Sequence, residues 1–350
     1  MTNETNRPHR DPRLDILRGI GLLCIILSHV GPPGFIFQLR NFDVPLMVLV
    51  SGASFSLSRA QDEKYGPYLF SRFNRLVVPT WVFLTFFFGV TLLASLAAKR
   101  PFPFSAEKVL SSFALLGGIG YVWVIRVFFL VALIAPLAKT ILSSNRLTLF
   151  WLFVGLCYMI YEFAVHYFPW SNMEWLDVIF KEFVFCAVPY GLVMAIGMTM
   201  HQLNIQRRFF YAAILLLMFA CIAGWFHIVT GGFVPTQRYK YPPTFYYLSY
   251  AVGVSLAVSG MVELLNIDSI FLGRLLAWIG KRSMWTYLWH IFILYLLGWI
   301  HLNSNFIILF LLVSMAALSI VVIQEKTLKA VLSKVVNERT REQMLLIFSG

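Results

Sequence analysis

The chain has 350 residues, of which 59% are hydrophobic and only 13% are charged, and its mean hydropathy is +0.76. A soluble globular domain carries about a quarter charged residues, so this composition excludes a soluble protein and predicts an integral membrane protein. The formal net charge is +12, but the lysines and arginines cluster at the ends of apolar segments. That placement indicates membrane topology, and we expect no nucleic-acid partner.

Apolar segments recur along the chain and predict an all-α fold, a polytopic membrane helix bundle of about ten transmembrane helices. The predicted spans are residues 14–30, 44–58, 76–98, 120–142, 147–166, 183–201, 209–229, 244–265, 283–300 and 306–323. With a cytoplasmic N-terminus, about 20 of the lysines and arginines fall on the cytoplasmic side, as the positive-inside rule requires. We therefore expect a multi-pass protein of the plasma (inner) membrane, with both termini in the cytoplasm.

These spans predict three parts: a cytoplasmic N-terminal tail (1–13), a transmembrane domain (14–323) and a cytoplasmic C-terminal tail (324–350). The N-terminal tail lacks the apolar core and cleavage site of a signal peptide, so we expect the first span to be retained. Short amphipathic helices are predicted at Ser105–Leu115 and, on the inner surface, after Gln324. The four cysteines lie in separate spans, which predicts core packing and neither a disulfide nor a metal site.

The first span carries three polar side chains on one stripe. Arg18 and His29 lie within about 20° of each other around an ideal helix, with Asp15 about 40° to the other side. Hydrocarbon penalises such groups, so we expect the stripe to face a protein interior or a water-filled cavity. Asp15 and Arg18 could equally form an ion pair that anchors the helix. His29, about 16 Å from Arg18 along the axis, is either a buried packing residue or the natural general base near neutral pH.

The second span begins at a carboxylate, Asp43, just before Pro45. This carboxylate could cap the helix, or it could contact an external substrate or His29. Two arginines, Arg72 and Arg75, are three residues apart at the opening turn of the third span and share one helix face. These arginines could simply anchor the span. Arginine also binds phosphate well, so an anionic cytosolic cofactor could bind here.

Later segments add further candidates. Arg126 lies inside the fourth span, where a guanidinium indicates function unless it reaches the interface. Arg238 and Lys240 alternate with aromatic residues in an external loop, a mixture that suits a sugar or anionic polymer but is also typical of interface anchors. Ser283 and His290 share one face of the ninth span. That pair suggests a lined cavity, with His290 as a cofactor contact or as an orienting partner for the base.

Four motifs follow one another along the chain. They are Arg13-x-Asp15-x-x-Arg18-Gly19 followed by Ser28-His29; Asp43-Val-Pro45-Leu followed by Ser51-Gly52; Arg72-x-x-Arg75 followed by Pro79; and Gly280-Lys-x-Ser283-x-x-x-Tyr287-x-x-His290. In order and spacing they resemble the motifs of acyltransferase family 3, a family of multi-pass membrane proteins. The resemblance extends from Arg13 to His290, nearly the whole chain.

The resemblance implies transfer of an acyl group, usually acetyl, from cytosolic acyl-CoA to a hydroxyl or amine of a cell-surface glycan, glycolipid or related molecule. In this family the histidine that matches His29 is regarded as catalytic, and the arginine pair that matches Arg72 and Arg75 is associated with acyl-CoA. We therefore expect an acyl-CoA-dependent O-acyltransferase that uses no metal. Asp15, Asp43 or His290 could orient the base.

The expected site residues fall into three groups. For catalysis they are His29, Asp15 and Asp43; for acyl-CoA they are Arg18, Arg72, Arg75, Ser283 and His290; and for the acceptor they are Arg126, Arg238 and Lys240. Two other functions compete with the enzyme. Intramembrane Asp, Arg and His residues can also form the proton relay of a secondary transporter, and a non-catalytic glycan-export or scaffold protein is a third hypothesis.

Overall fold

The structure is a computed structural model that describes residues 11–58, 62–142, 147–167, 178–302 and 304–349. Within these ranges the chain is helical and has no β-strand. The α-helices are α1 (Pro12–Ser28), α2 (Gly34–Leu39), α3 (Asp43–Ser56), α4 (Tyr65–Ala97), α5 (Ala106–Phe113), α6 (Trp123–Leu142), α7 (Leu147–Tyr167), α8 (Phe185–Thr199), α9 (Ile205–Thr230), α10 (Phe245–Leu264), α11 (Phe271–Lys281), α12 (Ser283–Trp299), α13 (Phe306–Leu332) and α14 (Glu338–Phe348). A π-helical turn, Phe180–Val184, leads into α8.

Several helices are long and apolar enough to cross a membrane, which confirms the predicted all-α membrane bundle. In the part of the chain that the structure describes, six segments qualify: Tyr65–Ala97, Trp123–Thr140, Phe180–Gln202, Ile205–Thr230, Phe245–Leu264 and Phe306–Leu332. All ten predicted spans coincide with helices, but the count of ten is not confirmed. Helices α1, α3 and α12 have only 17, 14 and 17 residues, whereas a full crossing takes about 20.

Two helices extend beyond their predicted ends. Helix α4 begins at Tyr65 rather than at residue 76, because Pro67 lies in its first turn, where a missing N–H is tolerated. Helix α13 continues to Leu332, so the residues directly after Gln324 are helical as predicted, but they extend the last span. A distinct helix, α14, begins only at Glu338. A run of apolar residues predicts the apolar part of a helix but not the polar turns that extend it.

Local sequence signals set several helix ends. The side-chain oxygens of Asn204, Asn305 and Asn337 accept hydrogen bonds from backbone N–H groups in the first turns of α9, α13 and α14. Helix α9 ends at Gly231, whose φ of 74° is left-handed and favours glycine. The predicted helix at Ser105–Leu115 is confirmed as α5, and the Ser105 hydroxyl caps it.

The chain folds into two compact units. The first unit comprises Met1–Cys24, Gly34–Tyr65 and Leu130–Lys281, and the second comprises Ile25–Pro33, Gly66–Phe129 and Arg282–Gly350. Helix α3 packs against α8, and α9 against α10, in the first unit; α12 packs against α13 in the second. Helix α1 therefore contributes its N-terminal part to the first unit and its last turn to the second.

Candidate active site

Two histidines from distant parts of the sequence meet in the second unit. His29 is half-buried in the turn that ends α1, and His290 is fully buried within α12. The Nδ1 atom of His29 lies 3.2 Å from the Nε2 atom of His290. The two rings are stacked, with centroids 5.3 Å apart and an angle of 22° between their planes. We call His29 and His290 the imidazole pair.

The backbone of α12 determines which nitrogens of the imidazole pair carry protons. The Nδ1 atom of His290 hydrogen-bonds to the carbonyl oxygen of Tyr287, and a carbonyl can only accept, so this Nδ1 carries a hydrogen. Burying an isolated charge is costly, so His290 is neutral and its Nε2 is an acceptor. His29 must then donate from Nδ1. In the neutral form of His29 this leaves Nε2 without a hydrogen, as a general base requires.

Tyr121 forms the third ring of this site. Its ring meets the edge of His29 at a centroid distance of 4.8 Å and an angle of 77°. The loop before α6 brings Tyr121 there, and two hydroxyl groups of α12 fix that loop. Tyr287 donates to the Tyr121 carbonyl oxygen at 2.5 Å, and Tyr295 donates to the Ile119 carbonyl oxygen at 3.3 Å. Helix α12 therefore positions both His290 and Tyr121.

The other end of the same loop is held by α5 and α6. Arg126, which is 6% exposed, donates from Nη1 to the carbonyl oxygen of Leu115 at 2.9 Å. Leu115 has a φ of 59°, an uncommon conformation for leucine. Ser112 accepts from the Ile119 amide at 3.0 Å, and a Cβ on Gly118 would collide with Ser112. Arg126 thus contacts the loop that carries Tyr121, and its predicted acceptor contact stays a prediction.

Helix α14 also contacts α12, through hydrogen bonds and ring stacking. Trp285 donates from Nε1 to the Ile347 carbonyl oxygen at 3.0 Å, and its ring stacks on Phe348 at 5.8 Å. Trp289 donates to the Gln324 side chain at 2.8 Å, and that side chain donates to the Phe348 carbonyl oxygen at 3.1 Å. This support was not predicted, although indole groups on the histidine-bearing helix indicate a need for hydrogen-bond acceptors.

Six of the predicted site residues belong to the second unit: His29, Arg72, Arg75, Arg126, Ser283 and His290. Arg72 and Arg75 lie on α4. The Arg72 guanidinium is half-buried over the Tyr68 ring, 5.1 Å from its centroid, whereas Arg75 is exposed. Ser283 is half-buried at the first residue of α12, two turns before His290. Their predicted contacts with acyl-CoA stay predictions.

Asp15 and Arg18 form an ion pair in the first unit. Asp15 is fully buried, and its Oδ1 accepts from Arg18 Nη1 at 2.6 Å. The Nη2 group of Arg18 donates to the Ser54 hydroxyl on α3 at 2.5 Å. A Cβ on Gly280 would collide with the Asp15 carbonyl oxygen, so α11 and α1 pack in direct backbone contact. This close approach accounts for a glycine in the fourth motif.

A comparison with protein families identifies the chain. The family model described as an acyltransferase domain matches residues 11–324, nearly the whole length. The chain belongs to acyltransferase family 3. Comparison with curated proteins gives no match, and comparison with solved structures gives none either. Family membership makes the protein a membrane acyltransferase, which favours the enzyme over the transporter and the scaffold.

The remaining predicted residues of this acyltransferase lie in the first unit, where five polar side chains form an ionic cluster: Arg40, Asn41, Asp43, Thr236 and Lys240. Each is at most 5% exposed. Asp43 Oδ2 accepts from Arg40 at 2.6 Å, and Oδ1 lies 3.4 Å from the Lys240 ammonium. Lys240 also donates to Asn41 at 3.1 Å, and Asn41 donates to Thr236 at 2.9 Å. The ionic cluster thus joins the start of α3 to the loop before α10.

Two residues of that loop, Lys240 and Arg238, are predicted to contact the acceptor, and they differ in solvent exposure. Lys240 is buried, and this burial lowers its pKa, although the Asp43 carboxylate opposes the shift. Arg238 is exposed. Arg40 was not predicted as the partner of Asp43, although their i, i+3 spacing in the acyltransferase sequence is a signal for such a pair. The acceptor roles of Arg238 and Lys240 stay predictions.

Proposed function

We propose that this acyltransferase moves an acyl group, in the simplest case acetyl, from acyl-CoA to a hydroxyl of a cell-surface glycan or glycolipid, with His29 as the general base. The observation that carries the proposal is the hydrogen-bond chain from the Tyr287 carbonyl through His290 to His29. In the neutral form of His29, that chain supports Nε2 as the nitrogen that accepts a proton. A base at this position contributes about 10²–10⁴-fold to such a reaction.

The proposed reaction is a direct transfer of the acyl group from the thioester to the acceptor hydroxyl. Nε2 of His29 takes the proton of the acceptor hydroxyl while the hydroxyl oxygen attacks the thioester carbonyl carbon. The C–S bond then breaks, the CoA thiolate leaves, and it takes the proton from the His29 imidazolium, so an ester and CoA are formed. His290 is the positioning residue. Its Nε2 accepts from Nδ1 of His29 throughout, and this hydrogen bond strengthens when His29 is cationic.

Acyl-CoA carries several phosphate charges, which arginine binds well. Arg72 and Arg75 lie in the same unit as the imidazole pair, and we assign them to the phosphates, with Ser283 as a further hydrogen-bonding contact. A cytoplasmic N-terminus and a plasma-membrane location would bring these arginines to the cytosolic pool of acyl-CoA. Asp15 and Asp43, each engaged in ion pairs, act in this proposal through structure rather than through proton transfer.

Mass analysis of surface material tests the reaction. Polysaccharide and glycolipids would be compared from cells that express the wild type, His29→Ala or His227→Ala. His227 is an exposed histidine at the end of α9 and serves as the matched control. We expect an acyl mass increment with the wild type and with His227→Ala, and none with His29→Ala at equal membrane levels. An increment that survives in His29→Ala would remove the catalytic assignment.

A second experiment tests the donor site with purified full-length protein. The substrates are acetyl-CoA and acetyl-dephospho-CoA, which lacks the 3′-phosphate, and the variants are Arg72→Ala, Arg75→Ala and the control Arg274→Ala on exposed α11 surface. Loss of a charged hydrogen bond should raise KM for acetyl-CoA about tenfold with little change in kcat. Discrimination between the two donors should shrink in the same variant. Unchanged KM in both arginine variants would reject the assignment.

A further inference from the structure

A large cavity lies in the first unit, between helices α7, α8, α9 and α10. Its volume is about 690 Å³. The residues that line it include Val154, Leu192, Ile222, Phe226, Leu248 and Val252. An apolar cavity of this size holds water poorly, whereas it suits a hydrocarbon chain.

One end of the cavity is polar. Tyr158, Glu162, His166 and Thr244 line this end. Glu162 accepts from the Phe245 amide at 3.1 Å, and Nδ1 of His166 donates to the Glu162 carbonyl oxygen at 2.9 Å. The hydroxyl of Thr244 is buried and has no hydrogen-bond partner among the described residues. A buried hydroxyl left unpaired is costly, so this end is built for a ligand that forms hydrogen bonds.

The charge at the polar end restricts the headgroup. A phosphate would meet the Glu162 carboxylate and be repelled, because the two groups carry like charges. A hydroxyl can donate to the Glu162 carboxylate, and it can pair with the Thr244 hydroxyl. The chemistry therefore favours a neutral headgroup that carries hydroxyl groups.

The cavity is accessible from the side of the helices that faces lipid. Gly155 and Met159 on α7 line the cavity and are exposed, Met159 by 68%. Helix α9, a candidate membrane span, has one buried residue, Ala212, so its surface is open to hydrocarbon. A ligand that enters here comes from the bilayer rather than from water.

We propose that this cavity binds one membrane lipid with a single hydrocarbon chain and a neutral, hydroxyl-bearing headgroup. The chain occupies the apolar part between α8 and α10, and the headgroup contacts Glu162, His166 and Thr244. This site is additional to the acyl-transfer site in the second unit, and the inference stands whether or not His29 is the base.

Photolabelling tests the proposal on the purified full-length protein in phosphatidylcholine vesicles. The probe is a 1-monoacylglycerol with a diazirine in its chain, and the competitors are an unlabelled monoacylglycerol and a lysophosphatidic acid of the same chain length. We expect labels on residues 154–166 and 244–252, and we expect only the neutral lipid to compete. Equal competition by the anionic lipid would overturn the assignment of the headgroup.

Two glycines provide a matched pair of variants. A Cβ at Gly155, on the cavity wall, or at Gly224, on α9 outside the cavity lining, would meet no atom within 4 Å. Gly155→Phe should therefore fill the cavity and reduce labelling to background, whereas Gly224→Phe should leave labelling unchanged. Thr244→Val should weaken competition by monoacylglycerol. Labelling that ignores Gly155→Phe, or that falls only on the outer face of α9, would overturn the site.

Discussion

The ionic cluster and the imidazole pair of this acyltransferase differ in the kind of groups that their hydrogen bonds connect. In the ionic cluster, both oxygens of Asp43 are used: Oδ1 by the Val44 amide and by Lys240, and Oδ2 by Arg40. In the imidazole pair, the chain of donors and acceptors starts at a backbone carbonyl and uses Nδ1 of His29. In the neutral form of His29, this arrangement puts the hydrogen on Nδ1 and makes Nε2 the basic nitrogen.

This difference separates ion pairs that stabilise the fold from the histidine pair that we propose takes part in the reaction. Buried charges require partners, and breaking a buried ion pair leaves an uncompensated charge at high cost. The residues of the ionic cluster are therefore committed to one another. A neutral imidazole can take up a proton near neutral pH, so the pair in the second unit suits proton transfer. A charge in a membrane protein is conspicuous in sequence, yet it is not by itself a mark of catalysis.

The largest effect on stability is expected for Asp43→Ala. This change leaves Arg40 and Lys240 buried without their carboxylate, and we expect a loss of about 3–5 kcal/mol. The control is Asp62→Ala, because Asp62 is 72% exposed in its pair with Lys139, and exposed pairs contribute about 0–1 kcal/mol. Thermal unfolding of purified protein in detergent measures both. An Asp43→Ala protein that unfolds like the wild type but transfers no acyl group would instead put Asp43 in the chemistry.

An intermediate effect is expected for Arg126→Met. The Arg126 guanidinium is buried and contacts the loop that carries Tyr121 to the imidazole pair. The variant loses a hydrogen bond to Leu115, which for a charged donor contributes about 1.5–3 kcal/mol, and the loop that carries Tyr121 becomes less ordered. We expect kcat to fall while KM for both substrates stays unchanged. Steady-state kinetics checks this, and a raised KM for the acceptor alone would show that Arg126 binds the acceptor directly.

The smallest effects on stability are expected for Lys240→Met and Arg238→Met, and the first should exceed the second. Lys240→Met leaves the Asn41 carbonyl unpaired and removes one of two cations beside Asp43, at an expected cost of about 1–3 kcal/mol. Arg238→Met changes an exposed side chain and should alter stability by about 0.5 kcal/mol or less. The unfolding temperatures of the two variants should differ accordingly. If they coincide, the ionic cluster does not hold the loop before α10.

Much of the architecture could be predicted because apolar runs report helices directly. All ten predicted spans coincide with helices. Pro67 explains why α4 begins earlier than predicted, and the polar turns after residue 323 explain why α13 ends later. Contacts between segments that are distant in sequence were harder to predict. Helical spacing put Arg18 and His29 on one stripe, but α1 ends at Ser28, so His29 belongs to a turn rather than to the helix face.

The parts of the site that the sequence could not predict depend on backbone atoms. The Tyr287 carbonyl selects the tautomer of His290, and the loop carbonyls at Leu115 and Ile119 receive Arg126 and Tyr295. Every residue has a carbonyl, so no sequence pattern singles these out. Tyr121 is a similar case, since only the folded loop brings its ring to His29.

A double-mutant cycle on the imidazole pair measures whether the activity of His29 depends on His290. The rate of acyl transfer would be measured for the wild type, His29→Ala, His290→Ala and the double variant. If His290 acts only through His29, the single loss of His29 and the double loss should lower kcat equally, by about 10²–10⁴-fold. Losses that multiply in the double variant would contradict the proposed dependence of the base on its partner.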